Sequence, residues 1–413
     1  MAKSGLTQSG IVALICGFMP QAFAQEALPP WKLTLSTDSS YLSYRTSRAA
    51  NPPGPGLRDR GSQFTQNFGV QLVGHPAQDL KLSLMIKGGA ISSRSTTLTT
   101  SGSYAGLLDT TVSGTLTYLG IAGYQPFVSL NLNLPTGRAN NSNAGLQGKG
   151  DADLVTKPTF GEGLNIGPTI GVNIPINAAW MASFAGGYTA RGKFTREADI
   201  IPPFMFPVSI DPGDVGTLTS SLSWKGDKLS LKASLAYSFE TDTTYNNQPF
   251  YRAGDRIVAQ LSGGYAIDDN WSAKGQVSYS HFARNKVQQF GLPPLVREAF
   301  NSNNDVLKLS TDLTYARDSW SLGPTASFTH RARNGWDPNT FQFITSRNSY
   351  SFGLTGGATI GEMVQVKARI ERMWSIENAT ADKLVFGFPI LGSGTATART
   401  QGWQASASAS VKF

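Results

Sequence analysis

From residue 31 to the C-terminus the chain repeats one pattern: about ten residues of alternating apolar and polar side chains, then a polar interruption. In Leu229-Ser230-Leu231-Lys232-Ala233-Ser234-Leu235-Ala236-Tyr237 the odd positions are apolar, and in Leu307 to Tyr315 they are apolar or threonine. Val364-Gln365-Val366-Lys367-Ala368-Arg369-Ile370 alternates with the opposite parity. A helix would gather Lys367 and Glu371 on one face and scatter the valines, so the two-residue period predicts strands.

The interruptions are of two kinds. Short polar turns are centred near residues 77, 124, 177, 226, 269, 318 and 361, a spacing of 43 to 53 residues. Between them lie long Gly-, Pro- and Asn-rich stretches at 47–63, 93–109, 136–163, 191–213, 241–250, 284–302, 333–344 and 376–397. This pattern predicts hairpins with tight turns at one end and long loops at the other. Seven hairpins make fourteen strands, and segments near 31–45 and 399–413 raise the number to sixteen. Fourteen is the alternative if 31–45 and 110–121 are not strands.

Strands of about ten residues suit a tilted crossing of a bilayer, where soluble sheets use five or six. Trp31, Trp180, Trp224, Trp271 and Trp320 fall beside short turns or at the first strand's start, the placement of an interfacial aromatic girdle. Tyr188, Tyr237, Tyr279, Phe328, Trp374 and Trp403 would form a second girdle at the other end. The predicted fold class is all-β: a transmembrane, antiparallel, up-and-down barrel with short periplasmic turns and long extracellular loops. An even strand number closes the sheet and leaves no edge exposed to lipid.

Composition supports a single unit. The chain has 44 glycines and 15% charged residues, spread evenly without a linker or charge block. Residues 1–24 read as a secretory signal peptide, with Lys3, an apolar run to Met19 and the small-x-small pattern Ala22-Phe23-Ala24. One barrel domain over 25–413 follows. Cys16 lies inside the leader after Ile15, where a lipoprotein signal would need a small residue, so lipidation is not expected and no disulfide is available. The formal net charge of +8 falls by one with the leader's lysine, and where the remaining charge sits matters more than its size.

Leader, strand pattern and terminal Phe413 together resemble the outer-membrane β-barrel proteins of Gram-negative bacteria. That resemblance implies outer-membrane lipid as surroundings and recognition of the last strand by the barrel-assembly machinery. More locally, Phe127-Val128-Ser129-Leu130-Asn131-Leu132-Asn133-Leu134-Pro135-Thr136-Gly137 is similar to barrels of the phenol meta-pathway family, linked to uptake of aromatic or other hydrophobic compounds.

If the apolar parity faces lipid, the other faces a lumen. The last strand states this most simply: Ala405, Ala407, Ala409 and Val411 face out, and Ser406, Ser408, Ser410 and Lys412 face in. Serine, glycine and alanine cannot fill sixteen strands, so the lumen is expected to hold water. Lys32, Lys81, Lys232, Lys274, Lys367 and Lys412, with Arg369 a little higher, are the pore candidates, a basic collar at the short-turn mouth that would favour anions. Their alternative is a solvated rim paired with neighbouring acids or lipid phosphates. The longest loop, 136–163, is the third long one, the ordinal position of the loop that narrows general porins. Its Arg138, Lys149, Asp151, Asp153 and Glu162 are the constriction candidates, with a mobile external loop as the alternative.

The sequence thus points to a channel or transporter for small solutes, with anions or small aromatic and hydrophobic acids as candidate cargo. The competing reading is a structural or export barrel that anchors or secretes a partner. Only about six residues of the expected mature chain precede the first strand, so an N-terminal plug is not expected. Enzyme activity, cofactors, metals and nucleic acid are not expected: His75 lies in a short turn, His281 and His330 have no evident Ser or Asp partner at fixed spacing, and Asp151-Ala152-Asp153 lacks the frame of a calcium loop.

Overall fold

The structure is a computed structural model that describes residues 31–48, 57–97, 100–139, 148, 154, 161–197, 207–289, 292–385, 388–390 and 393–413. The signal-peptide segment and Lys149, Asp151 and Asp153 lie outside these residues. The described secondary structure is all β. In chain order the strands are β1 (Lys32–Arg48), β2 (Leu57–Ala77), β3 (Leu80–Thr96), β4 (Ser101–Leu107), β5 (Thr110–Tyr118), β6 (Gln125–Leu134), β7 (Asn165–Pro175) and β8 (Trp180–Arg191). Then come β9 (Phe194–Glu197), β10 (Pro207–Asp211), β11 (Val215–Lys225), β12 (Leu229–Glu240), β13 (Thr243–Tyr245), β14 (Gln248–Arg252), β15 (Arg256–Ala266) and β16 (Trp271–Phe282). The last are β17 (Lys286–Gln289), β18 (Leu292–Arg297), β19 (Val306–Arg317), β20 (Trp320–Arg331), β21 (Arg347–Ile360), β22 (Val364–Glu377), β23 (Lys383–Val385), β24 (Phe388–Ile390) and β25 (Ala398–Lys412).

Every barrel strand is antiparallel to its neighbours, and β1 pairs with β25 along their length, from Thr34 opposite Lys412 to Arg48 opposite Ala398. The sheet is therefore closed. Both β4 and β5 pair with β3 and act as one interrupted strand, which makes a 16-strand barrel. Turns at the seven predicted short positions join the strands at one end, and both described termini lie there: Phe413 exchanges backbone hydrogen bonds with Leu33.

Inward and outward parity stays in register around the wall. Outward residues are large and apolar, and remain open to the surroundings: Ile170 is 69% exposed, Phe352 58% and Leu218 57%. A continuous apolar exterior of this kind is stable only against lipid. At the short-turn end Trp180 lies 6.3 Å from Trp224, and Tyr315 lies 5.2 Å from Trp271 and 5.6 Å from Trp320. Four of the five tryptophans expected in the lower girdle are among these rings, with Tyr315 between two of them.

The long connections depart from expectation, for they hold strands. The wall is tall on one arc, where β1, β2 and β3 run 17, 21 and 17 residues, and β22 and β25 run 14 and 15. On the other arc β8, β11, β12, β15, β16 and β19 stop after 11 or 12 residues. There β9, β10, β13, β14, β17 and β18 form a separate six-stranded sheet beyond the barrel rim, and β23 pairs with β24 elsewhere. Stretch 93–109, expected as a loop, is mostly β3 and β4. Above the membrane both faces of a strand meet polar surroundings, so Ser101-Gly102-Ser103 needs no apolar parity and reads as loop.

Candidate functional site

The closed sheet of the described residues encloses a lumen, and sixteen strands leave it wide enough for water. Its walls in the lower and middle part are small and polar: Ser83, Ser113 and Thr115, then Ser129, Asn131 and Thr169, continuing through Ser183, Ser221, Ser234, Gln260, Gln276 and Ser310. The serines of β25 close the ring against Thr34, Ser36 and Ser40 of β1.

All six predicted lysines stand on this inward parity near the short-turn end. Lys32 is opposite Val73, Lys81 opposite Thr117, Lys232 opposite Ser223 and Ser262, Lys274 opposite Gly264 and Asp312, Lys367 opposite Ser408, and Lys412 opposite Thr34. Lys32, Lys232, Lys274, Lys367 and Lys412 make no ion pair among the described residues. Lys225 and Lys87 share the same face; Lys225 falls in what the sequence marks as a turn. Inward carboxylates in this half are Asp38 and Asp312, whereas Asp79, Asp227, Asp268 and Glu362 belong to the turns outside the wall.

Arg369 has a different setting. Its guanidinium lies 2.8 Å from Glu371, 3.6 Å from Asp312 and 2.5 Å from the hydroxyl of Thr325, thereby tying β22 to β20 and β19 across β21. Glu371 also accepts from Ser351 at 2.9 Å, and Ser351 meets Ser327 at 2.7 Å. Thr325 is 1% exposed and Glu371 4%. Arg369 is thus a neutralised strut in the wall, unlike the lysines below it. Arg369, Glu371 and Ser327 of this network, with Gln404 and Ser406, border a cavity of about 360 Å³.

The upper lumen holds buried side chains, and on β3 to β5 a β-bulge contributes two of them. Opposite Gly88-Gly89 of β3 stand Leu108, Asp109 and Thr110, three residues against two. The extra residue switches inward parity from even in β4 to odd in β5, so both Leu108 and Asp109 point inward, 5% and 6% exposed. Asp109 then takes N–H groups from both ends of the long loop: Gly137 at 2.9 Å, Gly161 at 2.6 Å and Glu162 at 3.4 Å, with the Asn133 amide at 3.0 Å. Thr136 completes the knot, accepting from the Thr110 N–H at 2.9 Å and donating to Leu108 O at 2.9 Å. Leu134-Pro135-Thr136-Gly137 therefore has a local task, rooting the loop in its neighbour's bulge.

Between the loop's two ends the described residues are Gly148 and Leu154, and both meet inward-facing side chains. The carbonyl of Gly148 accepts from inward-facing Ser93 at 2.9 Å. Leu154 packs on Leu42, Tyr44 and Met373, which occupy inward positions on β1 and β22. Ile91, Tyr104 and Leu108 form a second apolar cluster on the lumen side of β3 and β4. Of the predicted loop charges, Arg138 is exposed and Glu162 half-buried at the loop root. Asp109 was not predicted as a site residue; its signal was a lone Asp in a Leu-Leu-Asp-Thr stretch beside an apparent loop.

Higher still, Glu377 lies 3.5 Å from Arg48 and 3.9 Å from Arg347, which is 4% exposed and donates to Ser375 at 2.7 Å. The bridge crosses β25 over Ala398, whose small side chain leaves the space.

Closed, apolar outside and polar inside, the chain has the architecture of a transmembrane β-barrel. No family model matches the sequence, and no curated protein matches it. Among solved structures, an outer membrane channel from Pseudomonas putida F1 aligns over 64% of this chain and 93% of its own at 14% identity and a TM-score of 0.40. A Pseudomonas aeruginosa FadL homologue aligns over 92% and 90% at 10% identity and TM-score 0.44. An anion-selective porin from Comamonas acidovorans aligns over 93% and 100% at 10% identity and TM-score 0.43. These are distant likenesses of barrel architecture, and no solute or mechanism is taken from them.

Proposed function

We propose that this protein is an outer-membrane channel that admits small solutes through its hydrated lumen and favours anions at the short-turn mouth. The observation that carries it is the inward ring of Lys32, Lys81, Lys232, Lys274, Lys367 and Lys412 below a small polar wall. Fixed positive charge inside a narrow channel with low-dielectric walls concentrates anions and repels cations. In this proposal the loop whose two ends meet at Asp109, with Arg138 and Glu162 at those ends and Lys149, Asp151 and Asp153 in its sequence, sets the size and charge limits for entry. The long loops face the exterior and the short turns the periplasm. Small carboxylic acids, whose anionic group the collar attracts, fit this arrangement better than neutral hydrocarbons.

Planar-bilayer recording tests the proposal. A steady conductance with a reversal potential displaced toward the anion equilibrium value is expected in a potassium chloride gradient. The double variant K232E/K274E should shift that potential toward the cation value. A non-conducting protein would overturn the channel reading; a conducting, cation-preferring pore indifferent to the double variant would overturn the collar alone.

A further inference from the structure

The outward face of the tall arc carries a feature that solute passage does not use. Backbone register places Arg372, Trp403, Ser43, Ser62 and Arg94 in one row across β22, β25, β1, β2 and β3. The row above it runs Trp374, Gln401, Arg45 and Arg60, and Arg399 stands one step higher beside Ser47. All share the parity of Ile370, Tyr41 and Phe64, so all face the membrane side of the wall. Arg45, Arg60, Arg94 and Arg399 are exposed, and their guanidinium groups make no hydrogen bond or ion pair among the described residues. Arg372 donates to Gln401 at 2.9 Å and lies over the rings of Trp403 at 5.2 Å and Trp374 at 5.9 Å.

This arrangement is unfavourable if left alone. Arg45 and Arg60 are direct cross-strand partners, and like charges so placed repel, the more so beside a low-dielectric medium. No carboxylate of the described residues shares these rows: Asp59 and Glu377 belong to the inward parity. Among the described residues none supplies a counter-anion, so the charge suits an anion from the surroundings.

Height identifies the anion. The stretch from Trp403 to Phe413 spans about 34 Å along the strand and about 26 Å along the axis at the usual tilt, the thickness of the apolar belt of such barrels. The arginines therefore sit at the upper edge of the belt, at headgroup level, with indole rings beside them. Directly beneath lies the apolar row Ile370, Ala405, Tyr41 and Phe64, which suits acyl chains. We infer that the tall arc holds a lipid with a phosphorylated headgroup, its phosphates on these arginines and its chains on the rows below. Guanidinium groups pair with phosphate bidentately, and a cluster suits a headgroup with more than one phosphate. The short arc offers no such site, for Asp214, Asp255 and Asp305 stand at its rim.

Native mass spectrometry of the detergent-purified full chain tests this, with diphosphorylated lipid A and its dephosphorylated counterpart as probes. The phosphorylated lipid should stay bound, and R45Q/R60Q should lower its apparent affinity by at least about tenfold. D255N, on the opposite arc, should leave it unchanged, and an unheated gel shift shows that each variant remains a folded barrel. If R45Q/R60Q does not fold, the single variant R399Q, outside the paired rows, should still lower binding severalfold. Equal binding of the dephosphorylated lipid, undiminished binding by these variants, or equally tight uptake of inorganic phosphate would overturn the inference.

Discussion

The tall and short arcs are built from the same alternating strands, yet they treat the upper boundary of the membrane in opposite ways. On the tall arc β1, β2, β3, β22 and β25 run straight through it, carrying arginines outward and a packed mixture of serine, threonine, tyrosine and leucine inward. On the short arc the strands stop, the chain turns through Gly213 and Gly254, and a separate sheet begins. A Cβ built on Gly213 would lie 2.0 Å from Thr241 O, and one on Gly254 2.0 Å from Ala283 O, so the break requires glycine. Each break is held by an aspartate: Tyr188 donates to Asp214, Tyr237 to Asp255 at 2.7 Å, and Tyr279 to Asp305 at 2.7 Å. Continuous hydrogen bonding makes one arc an unbroken wall on which Leu154 packs, while the other is a rim broken at its glycines.

The largest break in this contrast should come from the loop root. Asp109→Ala leaves three backbone N–H groups and an amide without their acceptor, at about 1–3 kcal/mol for each buried donor that water does not reach. We expect single-channel conductance to rise as the loop leaves the tall-arc wall, with the barrel still closed; unchanged conductance would separate the loop from the constriction. Asp109→Asn, which keeps one acceptor oxygen, should lie between.

Next in size is Gly254→Val. Overpacking against a backbone carbonyl costs about 1–3 kcal/mol, and the damage should stay on the short arc: proteolysis within 241–297 accelerates while conductance is retained. Equal protection of this region in mutant and parent would contradict the role assigned to the glycine break.

Two ion-pair substitutions sharpen the same contrast. Glu377→Gln removes the carboxylate that faces Arg48 and the 4% exposed Arg347, which keeps its bond to Ser375, and should cost about 1–3 kcal/mol in urea unfolding. Asp242→Asn removes the partner of Arg252 at the short-arc rim, where both side chains are 36% exposed, and should cost under about 1 kcal/mol. Similar costs would show that the two rims are equally wet.

The smallest effect is acidic. In the turn before β16, Asp268 accepts the N–H groups of Trp271 at 2.7 Å and Asn270 at 2.8 Å, and these bonds hold its carboxyl below the usual aspartate range. A depressed folded value gives stability that is present above the unfolded value and is lost as pH falls through the folded one. Stability should therefore decline below about pH 4, and Asp268→Ala should flatten that decline. An identical acid limb in the variant would remove the turn from the account.

The lower barrel was legible because lipid and water impose a strict two-residue code there. Ala405 to Ser410 already announces which side is wet, and the lysine positions on β12, β16, β22 and β25 follow from the same count. The upper structure was not legible. Ser101 to Leu107 lies above the membrane, where neither face must be apolar, and the bulge at Leu108-Asp109 violates the alternation on which the reading depends. The Gly213 and Gly254 breaks look like ordinary loop composition, and the sheet beyond them has no membrane to write its parity. Arg45 and Arg60 were visible as residues, but fell within or beside a stretch read as connection.

Alternation, turn spacing and tryptophan placement in the sequence determined a closed sixteen-strand barrel, its two ends and its wet face, because each strand meets the same two solvents. Tertiary structure alone decided what meets across strands. It joined Asp109 to both ends of a distant loop, made Arg369 a neutralised strut while Lys367 stays unpaired among the described residues, and gathered arginines from β1, β2, β3, β22 and β25 into one patch. Those outcomes depend on register and on one extra residue in a bulge, and period-two chemistry is the same whichever neighbours the register brings together.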